Sequence, residues 1–155
     1  MALALAALVA PLVACAHDNI RGTQIEDTPE NREIVDLVSA YHRAIEARDA
    51  DAVLAMVSAR FFEDNGNTDR EDDYNKDGLA TTLRADFERT KALTLDIRVD
   101  EVEVDEEAGH ADAFILFTVR GQAEFPAGSQ WKTKTDRSRL RFAREGNKWL
   151  IISGI

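Results

Sequence analysis

Residues 44–58 read AIEARDADAVLAMVS, a stretch in which one helical pattern stops and another starts with no spacer between them. Upstream, Ile34, Val38, Tyr41 and Ile45 recur at intervals of four, three and four, the single apolar stripe of a helix beginning near Glu30. Pro29 sits where helices begin, and Glu30 and Glu33 suit a first turn. EARDAD then breaks the stripe, and Asp49 or Asp51 can cap a short second helix, AVLAMVS.

Downstream, ARFFED offers a brief strand that runs into an acidic loop. Leu79, Leu83 and Phe87, four apart, mark a third helix to about Lys91. Everything after it reads as strand. In LTLDIRVDEVEVDE, Leu95, Ile97 and Val99 share a face, and the phase slips at Asp100-Glu101 before Val102 and Val104, which predicts a bulge or bend. HADAFILFTVRGQAEF is apolar on both faces around Phe114–Phe117 and belongs inside its sheet. PAGSQ turns the chain, and WKTKTDRSRLRFAR and KWLIISGI form a hairpin across EGN. Helices first and strands after predict an α+β fold: three N-terminal helices packed on a curved, mainly antiparallel sheet of four to five strands.

Composition narrows the partners. The 155 residues suit one domain, and 45% hydrophobic with 31% charged residues is a globular balance. A net charge of -10 repels phosphate backbones, so nucleic acid is excluded as a partner. The opening MALALAALVAPLVAC is an uncharged apolar run ending at the chain's sole cysteine, too short for a permanent span. Leu12-Val13-Ala14-Cys15 resembles the lipobox of bacterial lipoproteins. The expected layout is a signal peptide over 1–14, a lipidated Cys15 and flexible tether over 15–29, and the domain over 30–155. One thiol leaves no internal disulfide. Ala16 after the cysteine favours the outer membrane of the cell envelope.

AIEARDADAVLAMVS, together with the closing GNKWLIISGI, resembles the nuclear transport factor 2-like superfamily, which includes SnoaL-like domains, polyketide cyclases and ketosteroid isomerases. The resemblance covers roughly residues 30–155 and implies a cone-shaped fold with a pocket between helices and sheet. In enzymes of the group that pocket holds an acid–base pair, but the fold also hosts binders and scaffolds. Dimerisation through the open sheet face is common in similar folds, so a homodimer is a further expectation.

The candidates for that pocket are individual residues rather than a constellation. Tyr41 lies on the helical stripe and His42 beside it. Asp136 and Ser138 share parity with Leu140 and Phe142, placing Asp136 near the pocket mouth as a candidate general base. That role needs a raised pKa and an acid partner within reach. Tyr41 is otherwise a core residue with its hydroxyl bonded, and His42 a half-exposed residue at the helix edge. Trp131 is a candidate pocket aromatic or a rim residue, as is Trp149. Arg137, Arg139 and Arg141 alternate onto the opposite face. No phosphate loop, nucleophile elbow or His/Cys cluster appears, and no cofactor is expected.

The loop EDNGNTDREDDYNKDG, residues 63–78, imitates the start of a calcium loop. Asp73, Asn75 and Asp77 fall on ligand positions 1, 3 and 5 with Gly78 at 6, but Arg84 occupies position 12, where a bidentate acid is required. A competing reading makes Asp77 the N-cap of the third helix and the acids partners of its dipole. The leading functional reading is a cell-envelope lipoprotein that binds a small apolar ligand or a protein. The alternatives are a tethered isomerase, dehydratase or cyclase using Asp136 or His42, and a calcium-stabilised binding module.

Overall fold

A computed structural model describes residues 18–125 and 128–155. Helix α1, Pro29–Ala47, starts where Thr28 Oγ1 accepts the Asn31 N–H at 3.1 Å. It stops at Arg48, whose left-handed φ of 56° turns its N–H back onto the Ala44 and Ile45 carbonyls. The next residue, Asp49, accepts the Ala52 N–H at 2.9 Å and starts α2, Ala50–Ala55. Adjacent residues thus close one helix and open the next.

Strand β1, Phe62–Glu63, pairs antiparallel with β2, Tyr74–Asn75, and the acidic loop bridges them. The loop's side chains are spent on its own amides: Asp64 accepts from Gly66 N, Asn67 from Asp69 N and Asp69 from Glu71 N. Helix α3, Lys76–Arg89, is capped by Asn75 and not by Asp77 as expected. Asn75 Oδ1 accepts the Asp77 and Gly78 N–H groups at 3.0 Å each, because the helix begins two residues earlier than an Asp77 cap implied. Asp77 lies inside the first turn, where its charge faces the positive end of the helix. Among the described residues, no group of three His, Cys, Asp or Glu side chains is placed to hold a metal ion. Of the three candidate calcium ligands, Asp73, Asn75 and Asp77, Asn75 has its side-chain oxygen engaged in the cap of α3.

Four strands follow as an antiparallel meander: β3 (Thr90–Asp105), β4 (His110–Phe125), β5 (Gly128–Glu145) and β6 (Lys148–Ser153), adjacent in that order. The phase slip in the sequence is a register shift between Val99 and Glu101, and β4 is an interior strand. The three helices pack on one face. The exit of α2 is stitched to β6, with Ser58 N donating to Ile151 O and Ile151 N to Met56 O, both at 2.9 Å. The core gathers Ile34, Val38, Val53, Val57, Phe61, Phe142 and Ile151, all essentially without exposure.

Residues 18–28, read from sequence as tether, fold back on themselves. Asn19 bridges Glu26, and Ile25 is buried at 5% exposure. Thr23 closes the turn by donating its hydroxyl to the Ile20 carbonyl and accepting the Ile25 N–H, and Asn31 Nδ2 ties the Glu26 carbonyl to α1 at 2.9 Å. Cys15 and the apolar run before it lie outside the described residues.

Candidate functional site

A cavity of about 460 Å3 lies between α1 and the sheet. Its wall is assembled by strand register: Leu95 pairs with Val119, and Ile97 with Phe117. Phe117 in turn pairs with Asp136, Val119 with Lys134 and Ile115 with Ser138. Because side chains alternate along a strand, these residues share one face. The deep end is apolar and the end along β5 turns polar. From α1, Tyr41 and Ile45 close the opposite side. Glu63 and Asn65 form one lip of the mouth; Lys134, Asp136, Arg137 and Ser138 form the other, with Gly154 and Ile155 between.

Tyr41 is the one polar side chain on the α1 wall. Burial pushes its hydroxyl up to about 12, so it stays protonated at neutral pH. The sequence reading expected that hydroxyl to be bonded, yet among the described residues it has no hydrogen-bond partner. Tyr41 is among the residues that line the cavity.

Asp136 reaches the mouth as its parity required, but its chemistry is opposite to that of a raised base. Lys134 Nζ lies 3.0 Å from it and the Arg137 N–H donates to it at 2.9 Å. Those contacts, with the Lys134 hydrogen bond foremost, hold its carboxyl below the usual range, and half of it faces solvent. His42 does not enter the cavity. It turns to the free edge of β3, where its Nε2 meets the Leu95 carbonyl while Glu46 Oε1 accepts the Leu95 N–H at 2.9 Å. One turn of α1 thereby satisfies both edge groups of Leu95.

Leu140 lines the cavity, whereas Phe142, two residues on, is fully buried in the core and not on the cavity wall. Trp131 is not a pocket residue either. It stands 51% exposed with the Arg120 guanidinium 4.7 Å from its ring centroid, because its partner Gln122 is on the outer face of the sheet. Trp149 is core, with an indole N–H that finds no acceptor among the described residues. Arg139 and Arg141 share Asp112 on the outer face as expected; Arg137, paired with Leu116, has the same outward parity and borders the cavity mouth at the rim of β5.

Sequence reasoning missed Glu63, whose Oε2 accepts the Gly154 N–H at 2.5 Å and whose Oε1 accepts the Asn65 N–H at 3.3 Å. A signal existed. Glu63 shares strand parity with Phe61, which is 1% exposed, while Phe62 between them is 52% exposed. Tyr74, also missed, anchors the floor of the mouth by donating to the Ile155 carbonyl at 2.7 Å.

The chain belongs to the SnoaL-like domain family, whose model matches residues 34–154. No match was found among curated proteins. Solved structures agree on the fold. A conserved protein from Planctomyces limnophilus DSM 3776 superimposes with a TM-score of 0.68 at 10% identity, over 81% of this chain and 92% of that one. An NTF2-like protein of unknown function from Pseudomonas putida KT2440 gives 0.62 at 15% identity, over 83% and 85%. A hexachlorocyclohexane dehydrochlorinase (LinA) Type2 gives 0.64 at 12% identity, over 81% and 82%. At these identities the likeness speaks for the fold alone.

Proposed function

We propose that this SnoaL-like domain is a non-catalytic binder of a small, mainly apolar ligand. The observation that carries the reading is the chemistry of the cavity. Its deep wall is made of Ile, Leu, Val and Phe side chains, and its acids stand only at the mouth, already committed to Lys134, Asn65 N and Gly154 N. Such a site desolvates an apolar body, and Asp136 at its mouth is held below the usual carboxylate range by Lys134. A neutral fluorescent probe, N-phenyl-1-naphthylamine, tests it. Saturable binding is expected, and Val119→Trp, which fills the cavity, abolishes it while the far-ultraviolet circular dichroism stays unchanged. A linear, non-saturating signal in the wild type refutes the reading.

The expected setting is the cell envelope, with a lipid on Cys15 holding the domain at the outer membrane. Cys15→Ala then releases the protein from the membrane fraction, and unchanged membrane retention overturns this. Homodimerisation through the outer face of the sheet belongs to the same proposal, and light scattering on residues 18–155 returning a monomer mass refutes it.

A second reading, an isomerase-, dehydratase- or cyclase-like enzyme, is favoured by the protonated hydroxyl of Tyr41, which lines the cavity, and by the dehydrochlorinase among the structural neighbours. It requires turnover of a hydroxylated or halogenated cyclic substrate that Tyr41→Phe abolishes. An inactive wild type across such a panel removes it.

A further inference from the structure

A groove of about 760 Å3 adjoins the cavity and shares Glu63, Arg137, Ser138 and Gly154 with it. On a chain of net charge -10, the groove is lined by four arginines, Arg60, Arg137, Arg139 and Arg141, against two carboxylates, Glu63 and Asp64. The distribution of their partners singles out one guanidinium. Arg60 is paired with Glu145 at 3.0 Å. Arg139 and Arg141 divide a single carboxylate, Asp112. Asp64 Oδ1 accepts Gly66 N, and both oxygens of Glu63 accept backbone N–H groups. At the mouth, Lys134 and Asp136 neutralise each other. Arg137 alone on this wall makes no ion pair at contact distance among the described residues; Asp100 senses its charge from further off.

We infer that the ligand of the cavity carries a carboxylate or similarly compact anionic head, which emerges at the mouth and seats against Arg137 in the groove. The inference rests on the binding reading and adds the ligand's class: an amphipathic acid with its apolar body against Leu95, Ile97, Ile115 and Phe117. A guanidinium is built for this task, since its planar donors match a carboxylate in two parallel hydrogen bonds. Arg139 and Arg141 divide one carboxylate while Glu63 and Asp64 add two charges of the opposite sign, so the attraction for an anion comes from the unengaged Arg137 guanidinium itself. Ser138 is not free to take the head group, because its hydroxyl donates to the Gly154 carbonyl at 3.2 Å.

Decanoate and decanol, identical in chain and different in head, are compared as displacers of N-phenyl-1-naphthylamine from the full chain at pH 7 and low salt. Decanoate is expected to displace the probe at about 10- to 100-fold lower concentration than decanol, the worth of a charge-assisted hydrogen bond. In Arg137→Gln this preference disappears while decanol displacement stays where it was. Added salt weakens decanoate and leaves decanol unchanged. Equal displacement by both, or a preference for decanoate that survives Arg137→Gln, overturns the anionic head and leaves the binding reading standing. Displacement by neither compound overturns both. Because Arg137 makes no ion pair at contact distance among the described residues, thermal unfolding of the variant is expected at the wild-type temperature, which separates a lost head-group site from a lost fold.

Discussion

Replacing Tyr41 by Phe removes one oxygen atom from the cavity wall, and the structure says what that does at two pH values. At pH 8 the hydroxyl is neutral in both the folded and the unfolded chain and has no partner among the described residues, so its loss changes stability by less than about 1 kcal/mol. Above pH 10 the two states part. Unfolded, the tyrosine ionises near its ordinary 10; folded, burial holds it near 12. The unfolded state therefore releases its proton first, and stability is lost as pH rises from 10 through 12. At pH 11 the gap amounts to about 1.4 kcal/mol, an upper figure because the cavity opens to solvent. Tyr41→Phe has no such proton to lose. Urea unfolding followed by circular dichroism at pH 8 and pH 11 measures the difference between the two proteins at each pH. Wild type is expected to lose about 1 kcal/mol more than the variant between the two conditions. Parallel losses, or a variant weakened by more than about 2 kcal/mol at pH 8, refute a protonated, unpartnered hydroxyl on this cavity-lining residue.

Three further outcomes follow from single contacts. Asn75→Ala costs about 1 kcal/mol in urea unfolding, against a few tenths for Asp77→Ala, and the reverse order contradicts the cap of α3. Ser58→Ala acts through Glu145, whose carboxyl is held below its usual 4.5 first by the Ser58 hydroxyl, 2.6 Å away, and then by Arg60. That stabilisation is complete above the ordinary value and is lost as pH falls through the lower folded one, so the variant unfolds at a higher pH on acidification and its deficit shrinks below pH 4; a deficit independent of pH counts against it. Gly154→Ala meets a left-handed φ of 96° and places a Cβ 2.1 Å from the Arg139 carbonyl oxygen. It displaces the segment that holds Glu63, Ser138 and Tyr74 at the mouth, costing at least about 2 kcal/mol and speeding amide exchange there; a thermal midpoint within one degree of wild type would sink this account.

Much of the fold was legible because it depends on local hydrogen bonds and side-chain period. Arg48-Asp49 ends one helix and starts the next through bonds that span no more than five residues. The slip at Asp100-Glu101 is visible as a bulge since one extra residue reverses which side chains face the core. Parity also carried Asp136 and Leu140 to the cavity. It went wrong with Phe142, where the same face has passed from cavity into core; applied to Trp131 it gives the outer face, where that residue stands with Gln122.

The amino-acid sequence by itself determined the α+β order, the caps that separate α1 from α2, the bulge in β3 and the face on which each strand residue lies. These are decided within a few residues, by backbone geometry and alternation. Only the tertiary structure decided which groups meet. Glu63 reaches Gly154 across 91 residues of chain, His42 turns to the edge of β3 across 53, and Arg137 has no ion-pair partner at contact distance among the described residues while Arg139 and Arg141 share Asp112. Such pairings depend on where distant segments stop, and no periodicity encodes that. The acidic loop illustrates both halves: its turn-forming letters were plain, but whether they hold an ion or their own amides depended on where α3 begins.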